Sequence, residues 1–446
     1  MEHASLTDLL AHRMRLPQRH RLLHGYPLAG AMKTRPAGPE WDLDVGYAEN
    51  TERGLLIGVL PHPFCNPRVE GCGFCTFAHR PYDGAQVRDV VACVEREIAA
   101  RVANQPHLSR RKVAGLYFGG GTANLTPPKS FRQLCRTLAR HFDLRDAQVT
   151  LEGVPRYFLH GTPRLIEILR EELSARHFRV SMGIQTFDAE RLRAMGREAF
   201  GDVGTFAEVV DLAHSLGMTA SADLLFNLPH QTLREMQQDI DRAIALGVDH
   251  LGLYHLVLFR GLGTEWSRDP EMLAGLPDNE SAARHWMDLR ERLLAAGFLQ
   301  TTLTNFERAA FRDHPDRFTY EEFSFLANRY DMIGFGPSAI SFAAAPDYRS
   351  GWKILNPDDA RAYLSSVDRN ATCPWDRHFD YRHADMVVFH VTRRLAALCI
   401  DNREHTQLFG NPAWDEFGDE IAVMRAAELL ESDTQTLRPT PHGMFY

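Results

Sequence analysis

Three cysteines lie close together early in the chain, in the segment HPFCNPRVEGCGFCTFAH. They are Cys65, Cys72 and Cys75, and their spacing is C-x6-C-x2-C. Thiolates are soft metal ligands, and one short loop can bring three of them to a single point. The odd total of seven cysteines argues against a disulfide framework in a chain with so large a core. Free cysteine is often a buried packing residue, which is what we expect of the scattered Cys93, Cys135, Cys373 and Cys399.

Two metal centres fit this cysteine cluster, and accidental clustering is the third alternative. A zinc site would take His79 as its fourth ligand and would be closed and tetrahedral. A 4Fe-4S cluster would instead leave one iron without a protein ligand and open to a small molecule. The cysteines follow the first predicted strand, residues 54–60. Because chemistry in a (β/α) barrel is located at the carboxyl ends of the strands, this position favours the iron–sulfur cluster.

Glycines and polar residues follow the later predicted strands. The segment YFGGGT contains Gly119–Gly121, which allow close backbone approach and positive φ angles. Such a turn exposes N–H groups to an amino acid or a phosphate, but it lacks the spacing of a dinucleotide fingerprint or a P-loop. Glu152, Gln185 and Asp223 come at or just after the ends of successive strands. In a barrel they converge on one mouth and suit an amino group and ribose hydroxyls; the alternative is that they are solvated loop residues.

From about residue 54 the chain alternates short β-rich apolar segments with longer amphipathic segments. This alternation is typical of a parallel sheet covered by helices. The predicted strands are residues 54–60, 113–118, 147–153, 179–185, 218–226 and 248–256, with 298–306 as a seventh candidate. Three predicted helices end in glycine just before a strand, at Gly217, Gly247 and Gly297. The predicted fold class is therefore α/β, with a full or partial (β/α) barrel.

Composition places the chain among ordinary soluble globular proteins. Its 446 residues are 44% hydrophobic and 24% charged. No apolar run reaches the roughly 18 residues of a membrane helix, and the N-terminal segment does not have the pattern of a signal peptide. The net charge of −8 argues against a nonspecific nucleic-acid binder. We therefore expect a cytoplasmic enzyme that binds neither nucleic acid nor membrane.

The chain is predicted to have three regions. Residues 1–50 form an N-terminal arm, with an arginine-rich helix over 6–21 followed by a Pro/Gly-rich stretch. Residues 51–345 form the barrel. Residues 346–446 form a small, mostly helical C-terminal domain in which the strands stop after about residue 375. The tail LRPTPHGMFY is expected to supply a small wing or hairpin.

Six motifs occur in the order PFC with C-x2-C, YFGGGT, LEGVP, SMGIQTF, RE and DLLFNLP. Together they resemble the radical S-adenosylmethionine (SAM) enzymes related to oxygen-independent coproporphyrinogen III oxidase. The resemblance extends over residues 54–345, and the helical region that follows is similar to that family's C-terminal domain. It implies a partial (β/α)6-type TIM barrel with a small, mostly helical C-terminal domain. It also implies a 4Fe-4S cluster and SAM as cofactors.

The resemblance assigns roles to individual residues. It implies that the ligands of the cluster are Cys65, Cys72 and Cys75. It implies that the residues in contact with the methionyl end of SAM are Gly120, Gly121, Thr122, Glu152 and Arg197. It implies that Gln185 and Asp223 hold the ribose, and that residues 334–341 help to close the cofactor site.

Three departures from the family pattern bear on the reaction. The usual spacing is C-x3-C-x2-C, so residues 66–71 include three additional residues. The decarboxylase has a fourth cysteine two residues after the third, where this chain has Phe77. The tyrosine and histidine of the family's Y-x-H-x-P-F-C motif are out of register before Cys65. These departures argue against coproporphyrinogen decarboxylation but not against radical initiation.

Three functions compete for this scaffold. The preferred prediction is a class C radical SAM methyltransferase or cyclopropanase of natural-product biosynthesis, which uses two SAM molecules to modify an sp² carbon. The second is coproporphyrinogen dehydrogenation or another heme-handling role. The third is a non-enzymatic, zinc-stabilised binding module, which would leave the strand-end motifs unexplained. The expected partners are a small-molecule or carrier-bound substrate and a reductant such as flavodoxin or ferredoxin.

Two residues late in the sixth predicted strand are candidates for catalytic proton transfer. Tyr254 and His255 are placed to reach the mouth of the barrel. One of them could accept the proton that is lost when a methylated substrate rearomatises. The alternative for His255 is a packing role, which is more common for a histidine on a strand.

Overall fold

The structure is a computed structural model that describes residues 5–18, 25–36, 45–50, 52–65, 72–77 and 79–446. Within these ranges the strands are β1 (Lys33–Thr34), β2 (Gly54–Val59), β3 (Phe64–Cys65), β4 (Arg80–Pro81), β5 (Val113–Phe118), β6 (Gln148–Gly153), β7 (His177–Gln185), β8 (Thr219–Phe226), β9 (His250–His255), β10 (Phe298–Gln300), β11 (Asn305–Arg308), β12 (Tyr330–Phe335), β13 (Ile340–Ala344), β14 (Gly351–Leu355), β15 (Arg377–Tyr381), β16 (Ile400–Asp401), β17 (Leu430–Ser432) and β18 (Thr436–Pro439). The α-helices are α1 (Leu6–Arg15), α2 (Gly84–Asn104), α3 (Pro128–His141), α4 (Pro155–Phe158), α5 (Leu165–Glu172), α6 (Ala189–Ala194), α7 (Val203–Ser215), α8 (Leu233–Ala245), α9 (Pro270–Ala274), α10 (Asn279–Ala295), α11 (Tyr320–Phe325), α12 (Ala360–Arg369), α13 (His383–Ala396), α14 (Asn402–Phe409), α15 (Ala413–Glu416) and α16 (Gly418–Ala426).

The main sheet has 13 strands in the order β1-β15-β14-β13-β12-β2-β5-β6-β7-β8-β9-β11-β10. The strands from β12 through β9 in this order are parallel to one another. The six predicted strands correspond to β2 and β5–β9, so the expected α/β fold is confirmed. Because the carboxyl ends of parallel strands meet at one edge, the residues that follow them are brought together.

The apolar core follows from the sequence pattern. β2 is buried on both faces, as a parallel strand covered by helices must be, with Leu55, Leu56 and Ile57 at most 1% exposed. The buried face of α2 carries Val87, Val90, Val91, Val94 and Ile98, at helical spacing. Among the scattered cysteines, Cys93, Cys135 and Cys373 are buried as predicted, and Cys399 is half-buried. No helix in the described ranges combines the length and apolar character that crossing a membrane requires.

The seventh strand candidate, residues 298–306, is not one parallel strand. It folds as the antiparallel pair β10 and β11, and β11 continues the sheet antiparallel to β9, with Asn305 opposite Gly252. The N–H of Thr301 donates to the carbonyl oxygen of Asn305 over 2.9 Å and closes the turn between them. The prediction of a single strand was wrong because the apolar alternation continues through this turn.

Strands also continue beyond residue 375, contrary to the expectation. β15 pairs with β14 in the main sheet, and its other edge pairs with β1 of the N-terminal region. β16, β18 and β17 form a separate three-stranded sheet, and β18 contains the first residues of the tail that was expected to form a wing or hairpin. These strands have five residues or fewer and therefore give no periodic pattern. The predicted C-terminal helices are present as α13, α15 and α16.

A buried ionic network holds the parallel sheet to its antiparallel extension. Asp331 on β12 is fully buried and accepts hydrogen bonds from Arg53 Nε at 3.1 Å and Arg111 Nη2 at 2.8 Å. The guanidinium of Arg53 also donates to the carbonyl oxygens of Ala344 and Ala345 at the end of β13. Removal of the carboxylate would leave two buried cations without their shared counter-ion, which is a costly arrangement.

Replacement of Asp331 by alanine is expected to lower the free energy of unfolding by about 3–5 kcal/mol, as loss of one partner of a buried pair does. The measurement is urea denaturation followed by tryptophan fluorescence. Asp368→Ala is the matched control, because the Arg96–Asp368 pair has side chains that are 56% and 64% exposed. The control is expected to change stability by about 1 kcal/mol or less. Equal losses in the two variants would contradict this account of Asp331.

Candidate functional site

The cysteine segment begins at the carboxyl side of β2. Cys65 is the last residue of β3, which pairs in parallel with β4. Cys65, Cys72 and Cys75 are all half-buried free cysteines. Residues 66–71, which contain the three additional residues of the spacing, lie outside the described residues.

The three thiols affect one another electrostatically. Burial raises the pKa of Cys65 to about 11, and the neighbouring Cys75 and Cys72 raise that pKa further, while a hydrogen bond with Thr122 opposes the shift. Burial also raises the pKa of Cys75, which Cys72 raises further. Arg197 Nη1 lies 3.2 Å from Cys72 Sγ, so one buried guanidinium faces the thiols. A cation at this distance would stabilise the thiolate form that binds metal.

The chemistry of these donors fits an iron–sulfur cluster with one open iron. Three soft thiol ligands and an adjacent cation suit an anionic cluster. Within the described ranges, no three Cys, His, Asp or Glu side chains converge closely enough to hold a metal ion. His79, the fourth ligand of the zinc alternative, has its Nδ1 2.9 Å from the backbone carbonyl oxygen of Phe77. Its Nε2 is therefore the nitrogen that would have to bind zinc.

The glycine turn after β5 packs directly against the start of the cysteine segment. A Cβ at Gly121 would lie 2.9 Å from the carbonyl oxygen of Phe64, so only glycine fits there without movement. Gly120 has a φ of +105°, a conformation that side chains other than glycine rarely adopt. Thr122 is buried and donates its hydroxyl hydrogen bond to the carbonyl oxygen of Gly121 over 2.8 Å. The predicted cofactor-binding turn is thus in contact with the backbone that precedes Cys65.

Glu152, Asp223 and Tyr254 line one cavity, which has a volume of about 380 Å³. Asp223 Oδ2 accepts a hydrogen bond from Ser181 Oγ at 3.2 Å. A Cβ at Gly252, on the next strand, would overlap Asp223 Oδ1 and lie 2.9 Å from the Tyr254 hydroxyl. The glycine therefore leaves room for both side chains. Phe77, which follows the cysteines, is part of the same wall.

Gln185 and Arg197 meet beside Gly183. The pairing of β7 with β8 shifts register between Gly183 and Gln185, and Gln185 has a φ of 76°. A bulge of this kind re-aims the side chain that follows it. Arg197 Nη2 donates to the carbonyl oxygen of Gly183, and its Cζ lies 4.7 Å from the centre of the Phe200 ring. The arginine is thus fixed between the strand and the cysteines.

His255 lies outside this cavity. Its ring packs between Phe226 and Phe445, with centroid distances of 5.3 and 5.0 Å, and Asn227 Nδ2 lies 3.1 Å from its Nδ1. Burial lowers the pKa of His255 to about 3. The side chain lines a different cavity, next to His442. Successive residues of a strand point to opposite faces, so Tyr254 and His255 are not brought together.

Three further residues of the cavity wall do not follow strand ends and are not predicted by the sequence pattern. Arg179, His250 and Asn305 lie near the amino ends of their strands and line the same cavity. The available signal is an arginine in the largely buried strand RVSMGIQ. A charged side chain within a buried strand must face a polar partner or a cavity.

Comparison with known proteins shows what this part of the chain is similar to. Residues 59–243 match the model of the Radical SAM superfamily. This segment is similar to a radical SAM domain. A 4Fe-4S cluster and SAM are the cofactors that such a domain implies, and the site described above lies at the carboxyl ends of its strands.

Two relatives and one solved structure extend the comparison beyond this domain. The heme chaperone HemW of Haemophilus influenzae is 27% identical over 254 residues, which is 56% of this chain but only 62% of that protein's length. The heme chaperone HemW of Mycobacterium tuberculosis is 29% identical over 84% of this chain and 93% of its own length. The coproporphyrinogen III oxidase HemN of Escherichia coli has the same fold, with a TM-score of 0.74 and 21% identity over 98% of this chain and 96% of that chain.

Replacement of any one of Cys65, Cys72 and Cys75 by alanine is expected to abolish the iron–sulfur cluster. After anaerobic reconstitution the unchanged protein should be brown and hold about four irons per chain, because three thiolates complete a cluster with one open iron. Iron analysis and the absorption spectrum give the measurement. Cys93→Ala and Cys135→Ala are the controls, since both thiols are buried in the core. A colourless protein with one zinc that His79→Ala releases would instead establish the zinc alternative.

Asp223→Ala is expected to weaken SAM binding while the iron content stays unchanged. A hydrogen bond to a charged acceptor contributes about 1.5–3 kcal/mol, which corresponds to a loss of affinity of roughly tenfold or more. Equilibrium binding of SAM to the reconstituted protein gives the measurement. Glu152→Ala should behave in the same way. If either variant loses iron, that carboxylate supports the fold rather than the cofactor.

Proposed function

We propose that this chain is a radical SAM enzyme that takes a tetrapyrrole as its ligand, with a role in heme handling. The observation that carries the radical SAM part is the convergence of the cysteine segment, the glycine turn and two carboxylates. Arg197 contacts Cys72, Gly121 packs on Phe64, and Glu152 and Asp223 line the adjoining cavity. This arrangement combines soft ligands for iron with acceptors for a polar, cationic cofactor.

The chain's own residues bind and orient the cofactors. Cys65, Cys72 and Cys75 would hold three irons as thiolates, and Arg197 would offset part of their negative charge. Glu152 would accept hydrogen bonds from the methionyl amino group of SAM, and Asp223 from the ribose hydroxyls. When bound, the cluster and SAM supply a 5′-deoxyadenosyl radical, because one electron from a reductant cleaves SAM and releases methionine.

Two arguments support a tetrapyrrole ligand. The first is that two relatives are named heme chaperones, one of which aligns with 84% of this chain. The second is the shape and chemistry of the cavity wall, where the rings of Tyr117 and Tyr320 lie 5.2 Å apart and Phe318 faces the same space. Aromatic side chains suit the largely apolar body of a macrocycle, and a cavity of about 380 Å³ would hold one part of it. Phe77, at the position of the decarboxylase's fourth cysteine, favours heme handling over decarboxylation.

A second candidate function is methylation or cyclopropanation with a second SAM molecule. The observation that favours it is a phenol that could accept a proton in the cavity lined by Glu152 and Asp223, the candidate ligands of the first SAM molecule. Tyr254, which also lines the cavity, would then be the candidate for accepting the substrate proton.

Product and ligand analysis of the reconstituted, dithionite-reduced protein separates these functions. The proposal predicts that SAM is cleaved to 5′-deoxyadenosine and methionine, and that hemin gives a saturable change in the Soret band. S-adenosylhomocysteine, together with deuterium from methyl-deuterated SAM in the 5′-deoxyadenosine, would support the second candidate instead. Loss of carbon dioxide from coproporphyrinogen would establish decarboxylation and make Phe77 a tolerated substitution. Absence of a saturable hemin response would contradict the heme-handling role.

A further inference from the structure

The cavity wall includes three buried polar side chains that have buried N–H groups without a hydrogen-bond partner in the described part of the chain. They are Arg179, His250 and Asn305, and each is at most 2% exposed. Arg179 Nε and Nη1, His250 Nε2 and Asn305 Nδ2 are all buried without a hydrogen-bond partner. We call these three residues the Arg179 subsite.

Arg179 carries a buried positive charge with no paired carboxylate among the described residues. Its Nη2 lies 3.0 Å from His250 Nδ1, and its Cζ lies 3.9 Å from the centre of the Phe318 ring. The neighbouring carboxylate of Glu307 accepts the N–H of Phe318 at 2.7 Å and lies 3.9 Å from Arg317. Burial raises the pKa of Glu307 to about 7, and the charges of Arg317 and Arg179 oppose this shift without forming an ion pair between Arg179 and Glu307. Burial of an unpaired charge is expensive, so a counter-ion at this position would be strongly favoured.

The hydrogen bonds of His250 fix its tautomer. Arginine can only donate, so His250 Nδ1 accepts from Arg179 Nη2, and Ser221 Oγ lies 2.8 Å from the same nitrogen. Burial, and then the charge of Arg179, lower the pKa of His250 well below its ordinary value, so the ring is neutral. The ring proton is therefore on Nε2, and this N–H is a donor without a partner.

The buried, unpartnered atoms of the subsite are thus all donors. Asn305 adds an amide N–H to those of Arg179 and His250. Buried donors without partners destabilise a protein, so a set of them on one cavity wall indicates an acceptor that binds there. A planar carboxylate matches a guanidinium through two parallel hydrogen bonds. A dianionic phosphate is less suited, because Glu152 and Asp223 line the same cavity.

We propose that the Arg179 subsite binds a carboxylate group of the ligand that enters this cavity. The inference rests on the proposed function insofar as it takes this cavity as the ligand site. The recognised group is a carboxylate on a side arm of the ligand. This arm would extend past Glu152 and Asp223, the candidate ligands of SAM, to the amino-terminal parts of β7 and β9. Ligands that lack an acid at this point would leave the three donors unpaired and bind less tightly.

The test compares propionate with propionamide, which has a similar shape but no charge. Propionate is expected to raise the thermal unfolding midpoint of the reconstituted protein with a saturable concentration dependence, at constant ionic strength. Propionamide is expected to produce no saturable shift. An equal response to the two probes would overturn the proposal, since water alone would then satisfy the subsite.

Variants connect this response to the subsite. Asn305→Leu, which is nearly isosteric, is expected to weaken propionate binding about tenfold, and Arg179→Met is expected to abolish it. Arg312→Met is the matched control, because Arg312 is exposed and lies outside the cavity. If Arg179→Met does not fold, Asn305→Leu decides, and an unchanged propionate response in that variant would refute the proposal. A propionate preference in protein that binds neither iron nor SAM would support the subsite while contradicting the proposed function.

Discussion

A side chain at Gly121 would have no space, because its Cβ would lie 2.9 Å from the carbonyl oxygen of Phe64. The rest of the site depends on this contact between two backbone segments. One segment leads into Cys65, and the other is the turn expected to bind the methionyl end of SAM. Since glycine lets them touch, the candidate ligands of iron and the candidate binding surface for SAM are held side by side without an intervening side chain. An open iron and its small-molecule ligand require that proximity.

Charge is distributed unevenly around this contact. Arg197 is fixed by the carbonyl oxygen of Gly183 and faces Cys72, so positive charge adjoins the thiols. Glu152 and Asp223 provide negative charge in the adjoining cavity, and Arg179 provides a second, deeper positive charge. A ligand that bridges these regions would need cationic and anionic groups at different points. This alternation of charge favours one orientation of the bound ligand, because a ligand charge placed beside a like charge is repelled at short range in a poorly solvated space.

The periphery of the sheet supports this arrangement from outside. Asp331 and its two arginines connect β12 to the end of β13, and β12 pairs in register with β2, which precedes the cysteines. The antiparallel strands on that side continue through β15 to β1 of the N-terminal region. The strands that lie outside residues 59–243 are therefore part of the same sheet as the site and brace its first strand.

Local sequence by itself determined the parallel strands, the candidate cysteine ligands and the polar residues at the strand ends. Periodicity and spacing are local properties, and the carboxyl ends of parallel strands meet whatever the remaining details of the fold. Only the tertiary structure decided that Tyr254 faces the cavity while its neighbour His255 packs against Phe226 and Phe445. Tertiary structure alone also brought His250 within hydrogen-bonding distance of Arg179, and the antiparallel pairing of β11 with β9 brought Asn305 to the wall of the same cavity. Those contacts depend on register and on how a distant hairpin closes, and neither leaves a signal in the local pattern of residues.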